Sequence, residues 1–542
     1  MKNNNIIKLV FVVLPALLFA SCIKDLDRFP ENDTTGQVVY ATFDGYVGAI
    51  AKVYAGYTLT GNVGGSVYGK PDITGLDEGS NADFLRCFFN HQEMPTDEAH
   101  CIWNDPGVPE LNNINFVATC AFTIGLYDKS ILQIMYANEF LKNSTDGEVA
   151  GKGFTAEQQN EIKAFRAEAR FLRAFQYWVL MDVFGNPPFV TEESEFGVLP
   201  GQIQRAGLFD YVESELLDLA DNNLLKAAGK NEYGRADRAA AWALLARLYL
   251  NAEVYKGVAK YTEAITYSKN VIDADYSLKS NYEHLFLADN DKNNPEVILS
   301  INYDGARTRL DGGTTFLINC GSNGDYQDKY ASTLIHYGIT SNANWSGYRA
   351  RKQFFDKFDP ADKRRLFVGD NDAIADQPSE YKYGKATYKY RNITSASTLG
   401  NPVYGSDIRY ADNDFPLFRL AEMYLIYAEA VKRGGNGGSE ATALGYINKL
   451  RERAYGNNTG NISSAGALTL EFILDERARE LYWECHRRTD LIRYNRFTTA
   501  GYIWEWKGGV QVGRAVDSHF NLYPIPAPDL QANTNLEQNP KY

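Results

Sequence analysis

Apolar positions recur every three or four residues between Ala156 and Gly185, where Ile162, Phe165, Ala169, Leu172 and Val179 fall on one face. That spacing predicts a helix with one side against a core. Thr155 and Gln158 form a capping box at its start, and Gly185 with Pro187 and Pro188 stops it. The same period marks an Ala-rich helix near 236–250, carrying Trp242, Leu244, Leu245 and Leu248. Its partner near 260–273 carries Tyr261, Ala264, Ile265, Val271 and Ile272. Later, Leu417, Leu420, Ala421, Tyr424, Leu425 and Ala428 define a helix ending at Gly434–Gly435, and Leu444, Ile447 and Leu450 its neighbour. Leu474, Ala478, Leu481 and Tyr482 mark a third C-terminal helix.

Paired helices of this length resemble tetratricopeptide-type repeats, whose units bury their apolar faces only by stacking. The fold class expected is therefore mainly α, with a helical hairpin scaffold over 156–274 and 416–500. Two stretches break the pattern. Residues 56–115 and 275–415 are rich in Asn, Asp, Gly, Ser and Tyr, with short strand-like runs at Glu296–Asn302 and Thr314–Asn319. Long irregular segments held on a rigid frame usually carry function. Arg166, Arg170 and Arg173, alternating with Glu168, are expected to form intramolecular ion pairs within the scaffold.

The segment 1–21 reads as an export signal: Lys2 and Lys8 precede an apolar run from Leu9 to Ala20, and Phe19-Ala20-Ser21-Cys22 resembles the lipobox of bacterial lipoproteins. Cys22 is then the lipidated first residue of one domain covering 22–542, and the charged stretch from Ile23 to Asp33 is its tether. The other cysteines, Cys87, Cys101, Cys120, Cys320 and Cys485, show no Cys-x-x-Cys spacing, so zinc and a disulfide framework are disfavoured. A Cys87–Cys101 pair is allowed, but burial as small apolar residues is the expectation. A net charge of -13 and the lack of any basic stripe argue against nucleic acid.

Several ordered blocks are similar to the SusD/RagB family. They are Phe165-Arg166-Ala167-Glu168-Ala169-Arg170 through Phe184-Gly185-Asn186-Pro187-Pro188, Gly234-Arg235-Ala236-Asp237, Phe418-Arg419-Leu420-Ala421-Glu422, Glu476-Arg477-Ala478-Arg479-Glu480-Leu481 and Tyr523-Pro524-Ile525-Pro526. Gly75-Leu76-Asp77-Glu78-Gly79, Met94-Pro95-Thr96-Asp97-Glu98 and the segment holding Trp504-Glu505-Trp506 resemble its starch-binding members in particular. The resemblance implies a non-catalytic lipoprotein on the outer face of the outer membrane. Such a protein binds oligo- or polysaccharide and serves a SusC-like TonB-dependent transporter.

A sugar ring offers C–H bonds on its face and hydroxyls on its rim, so its receptor needs flat aromatic surfaces beside planar polar groups. Positions matching the family's aromatic arc are Trp103, Phe316 and Trp345, with Arg86 and Asn104 as hydroxyl partners. The match departs in three ways. Phe316 stands where starch-binding members carry Tyr, Cys101 replaces a second Trp, and the loop after Trp103 is one residue shorter, so that Asn104 and Asp105 compete for one role. An α-glucan such as starch is favoured, with dextran or a fructan as alternatives.

No cofactor is expected. Asp289, Asp291 and Asn293 alternate as in a calcium loop, but Asn294 and Ser300 exclude an EF-hand, which leaves a structural calcium against a solvated turn. There is no Gly-x-Ser-x-Gly, His-Glu-x-x-His or P-loop. A glycosidase needs only two carboxylates, so this absence disfavours catalysis without excluding it. A repeat scaffold that docks other proteins is the remaining alternative.

Overall fold

The computed structural model describes residues 36–61, 71–76, 81–339, 344–370 and 382–542. The signal segment, Cys22, the tether and Asp77–Gly79 lie outside them. The longer helices among the described residues are α1 (Phe43–Thr58), α2 (Phe84–Gln92), α3 (Ala121–Asn143), α4 (Ala156–Val183), α5 (Arg205–Asp221), α6 (Arg238–Leu250), α7 (Tyr261–Ile272), α8 (Gly313–Gly321), α9 (Leu420–Lys432), α10 (Glu440–Tyr455), α11 (Leu470–Leu481) and α12 (Arg487–Arg493). The strands are short: β1 (His100–Cys101), β2 (Val297–Ile301), β3 (Tyr348–Arg349), β4 (Phe367–Val368), β5 (Ala386–Thr387) and β6 (Phe415–Arg419). They form three antiparallel pairs, β1–β3, β2–β6 and β4–β5.

The scaffold is a continuous stack in which α3 packs on α4, α4 on α5, α5 on α6, α6 on α7, α7 on α9 and α9 on α10. The mainly helical expectation therefore holds, and so do the α6–α7 and α9–α10 hairpins. The capping box of α4 forms as the sequence predicts, with Gln158 N–H donating to Thr155 Oγ1 at 3.3 Å and Thr155 N–H to Gln158 Oε1 at 3.0 Å. The stack passes from α7 to α9 across the long insertion between Ile272 and Leu420. Because β2 pairs with β6, the two ends of that insertion are clamped at one place on the frame.

Buried charge fastens the insertion further. Arg419, at the end of β6, meets Glu296, Glu480 and Glu484, while Arg364 meets Asp362, Glu476 and Glu480. Arg453 bridges Glu296 and Glu480. Ions this deep are tolerated only when paired. Arg166, Arg170 and Arg173 are also paired, with Glu192, Glu215 and Asp218. Glu168, their sequence neighbour, instead takes Arg235 and the Tyr54 hydroxyl.

Leu417, expected on the face of the helix that ends at Gly434–Gly435, lies in β6 ahead of α9 instead. Two further expectations need correction. Thr314–Asn319 is not strand-like but the body of α8, and the supposedly irregular stretch before residue 115 contains the buried helix α2. One carboxylate accounts for both starts. Asp83 Oδ1 caps α2 by accepting from Arg86 N–H at 2.7 Å, and it accepts from Gly313 N–H at 2.9 Å where α8 begins. Gly313 has φ +57°, and a Cβ there would sit 2.2 Å from the Tyr303 ring, so this entry requires glycine.

The five described cysteines are free and buried, so Cys87 and Cys101 act as small core residues. Near the sequence's calcium-like turn, Asp289 accepts from both the backbone N–H and the hydroxyl of Ser395. Among the described residues no cluster of three or more His, Cys, Asp or Glu is placed to hold a metal ion.

Candidate glycan-binding site

The β1–β3 pair sets Cys101 opposite Tyr348, which brings the loop after β1 against the loop before β3. The second loop is fixed by the end of α8. Last-turn helix carbonyls have no intrahelical donor, and here Trp345 N–H donates to Asn319 C=O and Gly347 N–H to Cys320 C=O, each at 2.9 Å. Ser346 N–H donates to Ser322 C=O at 3.1 Å, and Ile102 N–H closes the set on Gly347 C=O at 3.0 Å. Two segments distant in the chain are thus welded together by backbone bonds.

Trp103 and Trp345 meet at this weld. Their ring centroids are 6.2 Å apart with planes at 55°, and Trp103 Nε1–H donates to Trp345 C=O at 3.3 Å. Each ring is half-buried against the core. Tyr348, wholly buried, stands edge-on beneath Trp103 with centroids 5.6 Å apart. A Cβ at Gly347 would lie 2.3 Å from the Trp103 ring, so only glycine admits the indole here. The result is a rigid, bent aromatic surface rather than a flat one.

Arg86, one turn into α2, lies among three rings, its guanidinium carbon 4.7 Å from the Phe316 centroid and 5.8 Å from those of Trp103 and Phe122. Stacking of this kind orients the planar donors while they remain partly exposed. Asn104 follows Trp103 directly and is exposed. The sequence-predicted residues therefore converge, with one correction. Phe316 is 0% exposed, packed edge-on against Phe89 and Tyr348, so no face of its ring is open to a sugar. It sits on α8 rather than in a loop and serves as the floor under Arg86. Cys101, where a second Trp was expected by resemblance, is equally buried.

Sequence reasoning missed Gly347, Tyr348 and Phe122. No local pattern marks them, because their roles arise only from the β1–β3 pairing and the packing of α3. A separate hollow of about 340 Å³ lies between α1, α4 and β2, lined by Ile50, Tyr54, Tyr57, Phe165, Leu172 and Ile301 among others. The hydroxyls of Tyr54 and Tyr57 are committed to Glu168 and to Leu172 C=O, while Glu232, Arg235, Ser300 and Asn302 add polar groups to its lining.

Comparison with known proteins agrees with this architecture. The starch-binding protein SusD of Bacteroides thetaiotaomicron is 35% identical over an alignment of 599 positions that covers all of both chains. The chain belongs to the SusD family. The SusD family model itself matches residues 329–542, and a second model, described as starch-binding associating with outer membrane, matches 109–250. A SusD superfamily protein of Bacteroides vulgatus superposes with a TM-score of 0.68 at 20% identity, covering 92% of this chain and 99% of that one. Surface glycan-binding protein A of Bacteroides fluxus gives a TM-score of 0.67 at 19% identity over 92% of this chain and 100% of its own. Both solved structures share the SusD fold.

Proposed function

We propose that this SusD-family protein is a non-catalytic, lipid-anchored receptor on the outer face of the outer membrane. It captures an α-glucan such as starch and passes it to a SusC-like TonB-dependent transporter. The observation that carries the reading is the bent Trp103–Trp345 surface beside the caged Arg86. Two tilted rings follow the curvature of an α-linked chain, while Arg86 and Asn104 supply donors for hydroxyls. Full-length similarity to a starch-binding relative favours the same ligand class. Lipidation at Cys22 would hold receptor and transporter in one membrane. High effective concentration there replaces intrinsic affinity, so millimolar binding, about -4 kcal/mol, is sufficient.

Affinity electrophoresis of the lipid-free protein in amylopectin, dextran and laminarin gels tests this. Retardation is expected in amylopectin, and Trp103→Ala and Trp345→Ala should each weaken it at least several-fold with thermal melting within a few degrees of wild type. Equal retardation of both variants would place the site elsewhere. Selective retardation in dextran or laminarin would replace the α-glucan assignment.

A further inference from the structure

A cavity of about 10 Å³, lined by neither Trp103 nor Trp345, lies where the stack meets the C-terminal helices. Its wall includes Trp178 of α4, Arg247 of α6, Glu422 of α9, Arg477 of α11, and His486 and Asp490 at the start of α12. Trp178 and Arg477 are 2% and 3% exposed, yet among the described residues Trp178 Nε1 and Arg477 Nη1 meet no hydrogen-bond partner. Leaving either donor unbonded costs about 1–3 kcal/mol, and both belong to residues that line this one cavity. Beside these donors, His486 Nδ1 stands 3.9 Å from Glu422 Oε1, too far for a direct hydrogen bond.

The charges identify the occupant. Arg247 is matched by Glu422, at 2.8 and 2.7 Å, and Arg477 by Asp490 at 2.7 Å. Burial and the surrounding arginines push His486 well below its ordinary range, so it is neutral. A wall whose charges cancel favours a neutral dipole over a free ion, and the space equals the room one water needs. We propose that one structural water occupies this cavity, accepting from Trp178 Nε1–H and Arg477 Nη1–H and bridging His486 Nδ1 to Glu422. It would join four elements of the frame, α4, α9, α11 and the His486 turn, through a single four-bonded molecule.

A high-resolution crystal structure of the wild-type protein, with a second crystal soaked in sodium bromide, tests the proposal. An ordered oxygen within about 3.2 Å of both Trp178 Nε1 and Arg477 Nη1, with no anomalous bromide signal, is the expected result. An empty cavity, or an anomalous peak at this position, would overturn it. In Trp178→Phe, which removes one donor and keeps an aromatic ring, the oxygen's occupancy should fall. Full occupancy at an unmoved position would remove Trp178 from the site.

Discussion

Gly347 shows how the proposed glycan-binding surface can depend on a residue that would itself touch no sugar. Its missing side chain leaves the space into which the Trp103 indole leans, and its N–H and C=O tie that loop to α8 and to Ile102. A methyl group 2.3 Å from the ring must displace either the indole or the backbone. Since the surrounding bonds fix the backbone, the indole is the part that yields. Gly347→Ala is therefore expected to weaken amylopectin retardation about as much as Trp103→Ala, with a fall in melting temperature of a few degrees at most. Retardation at the wild-type level would show that the indole's position does not matter. At this scale the sequence was partly legible. The tryptophans and Arg86 could be nominated because their side chains suit sugar chemistry and their segments resemble a known family, and the structure sets them side by side. Gly347 and Tyr348 act through contacts between segments far apart in the chain, which no local pattern encodes.

Among elements, legibility followed the density and spacing of apolar residues. Helices α7 and α10 were readable from one apolar and one polar face, and α4, α6, α9 and α11 from recurrent Ala, Leu and aromatic residues, although α6 and α9 are buried almost all round. Helix α3 was not, because buried polar residues interrupt its stripe: Lys129 donates to Leu59 C=O, Ser130 to Leu126 C=O, and Gln133 to Val53 C=O. Helix α8 read as a strand because Thr314, Thr315, Phe316 and Ile318 are β-formers. Tertiary bonds overrule that preference. Thr314 Oγ1–H donates to Asn413 C=O, Thr315 Oγ1 accepts from Ala411 N–H, and Asp83 holds the first turn. Asp83 is thus the element-scale hinge of the site, fixing both the helix that carries Arg86 and the helix that seats Trp345. Asp83→Ala should cost about 1–2 kcal/mol, as lost caps do, and should weaken glycan binding as well. Asp83→Asn keeps an acceptor oxygen and should lose far less in both melting and gel assays. Equal losses in the two variants would mean that charge, rather than capping, is what the position requires.

For the molecule as a whole, the strongest sequence blocks turn out to describe the frame rather than the site. Glu476, Arg477, Arg479 and Glu480 are all buried and lie in α11, where the two glutamates are joined to Arg364, Arg419, Arg451 and Arg453. Burial opposes ionisation of Glu480, but Arg453, Arg419 and Arg364 outweigh it and hold the carboxyl at about 2. Arg493 does the same for Glu429, and Arg487 for Asp97, each again at about 2. An unfolded chain takes up these protons near pH 4, whereas the native protein refuses them until about pH 2. The unfolded state thus binds more protons across that interval, and stability falls as pH falls through it. Glu93 and Glu98 act in the opposite sense, since burial, and for Glu98 the neighbouring Glu93, push both upward. They favour the native state at low pH and lose that contribution as pH rises above the ordinary carboxylate range. Melting temperature should therefore drop steeply between roughly pH 4.5 and 2, and should also decline, more gently, as pH rises from the ordinary carboxylate range toward about 7, where Glu93 gives up its proton. Glu480→Gln leaves three buried guanidinium groups short of a counter-charge, a loss of about 3–5 kcal/mol, and it removes one of the protons that drive acid unfolding. The variant should melt well below wild type at pH 7, with the gap narrowing as pH falls toward 3. A gap that stays constant across that range would mean Glu480 is not held ionised by its arginines, and that the C-terminal frame draws its strength from packing alone.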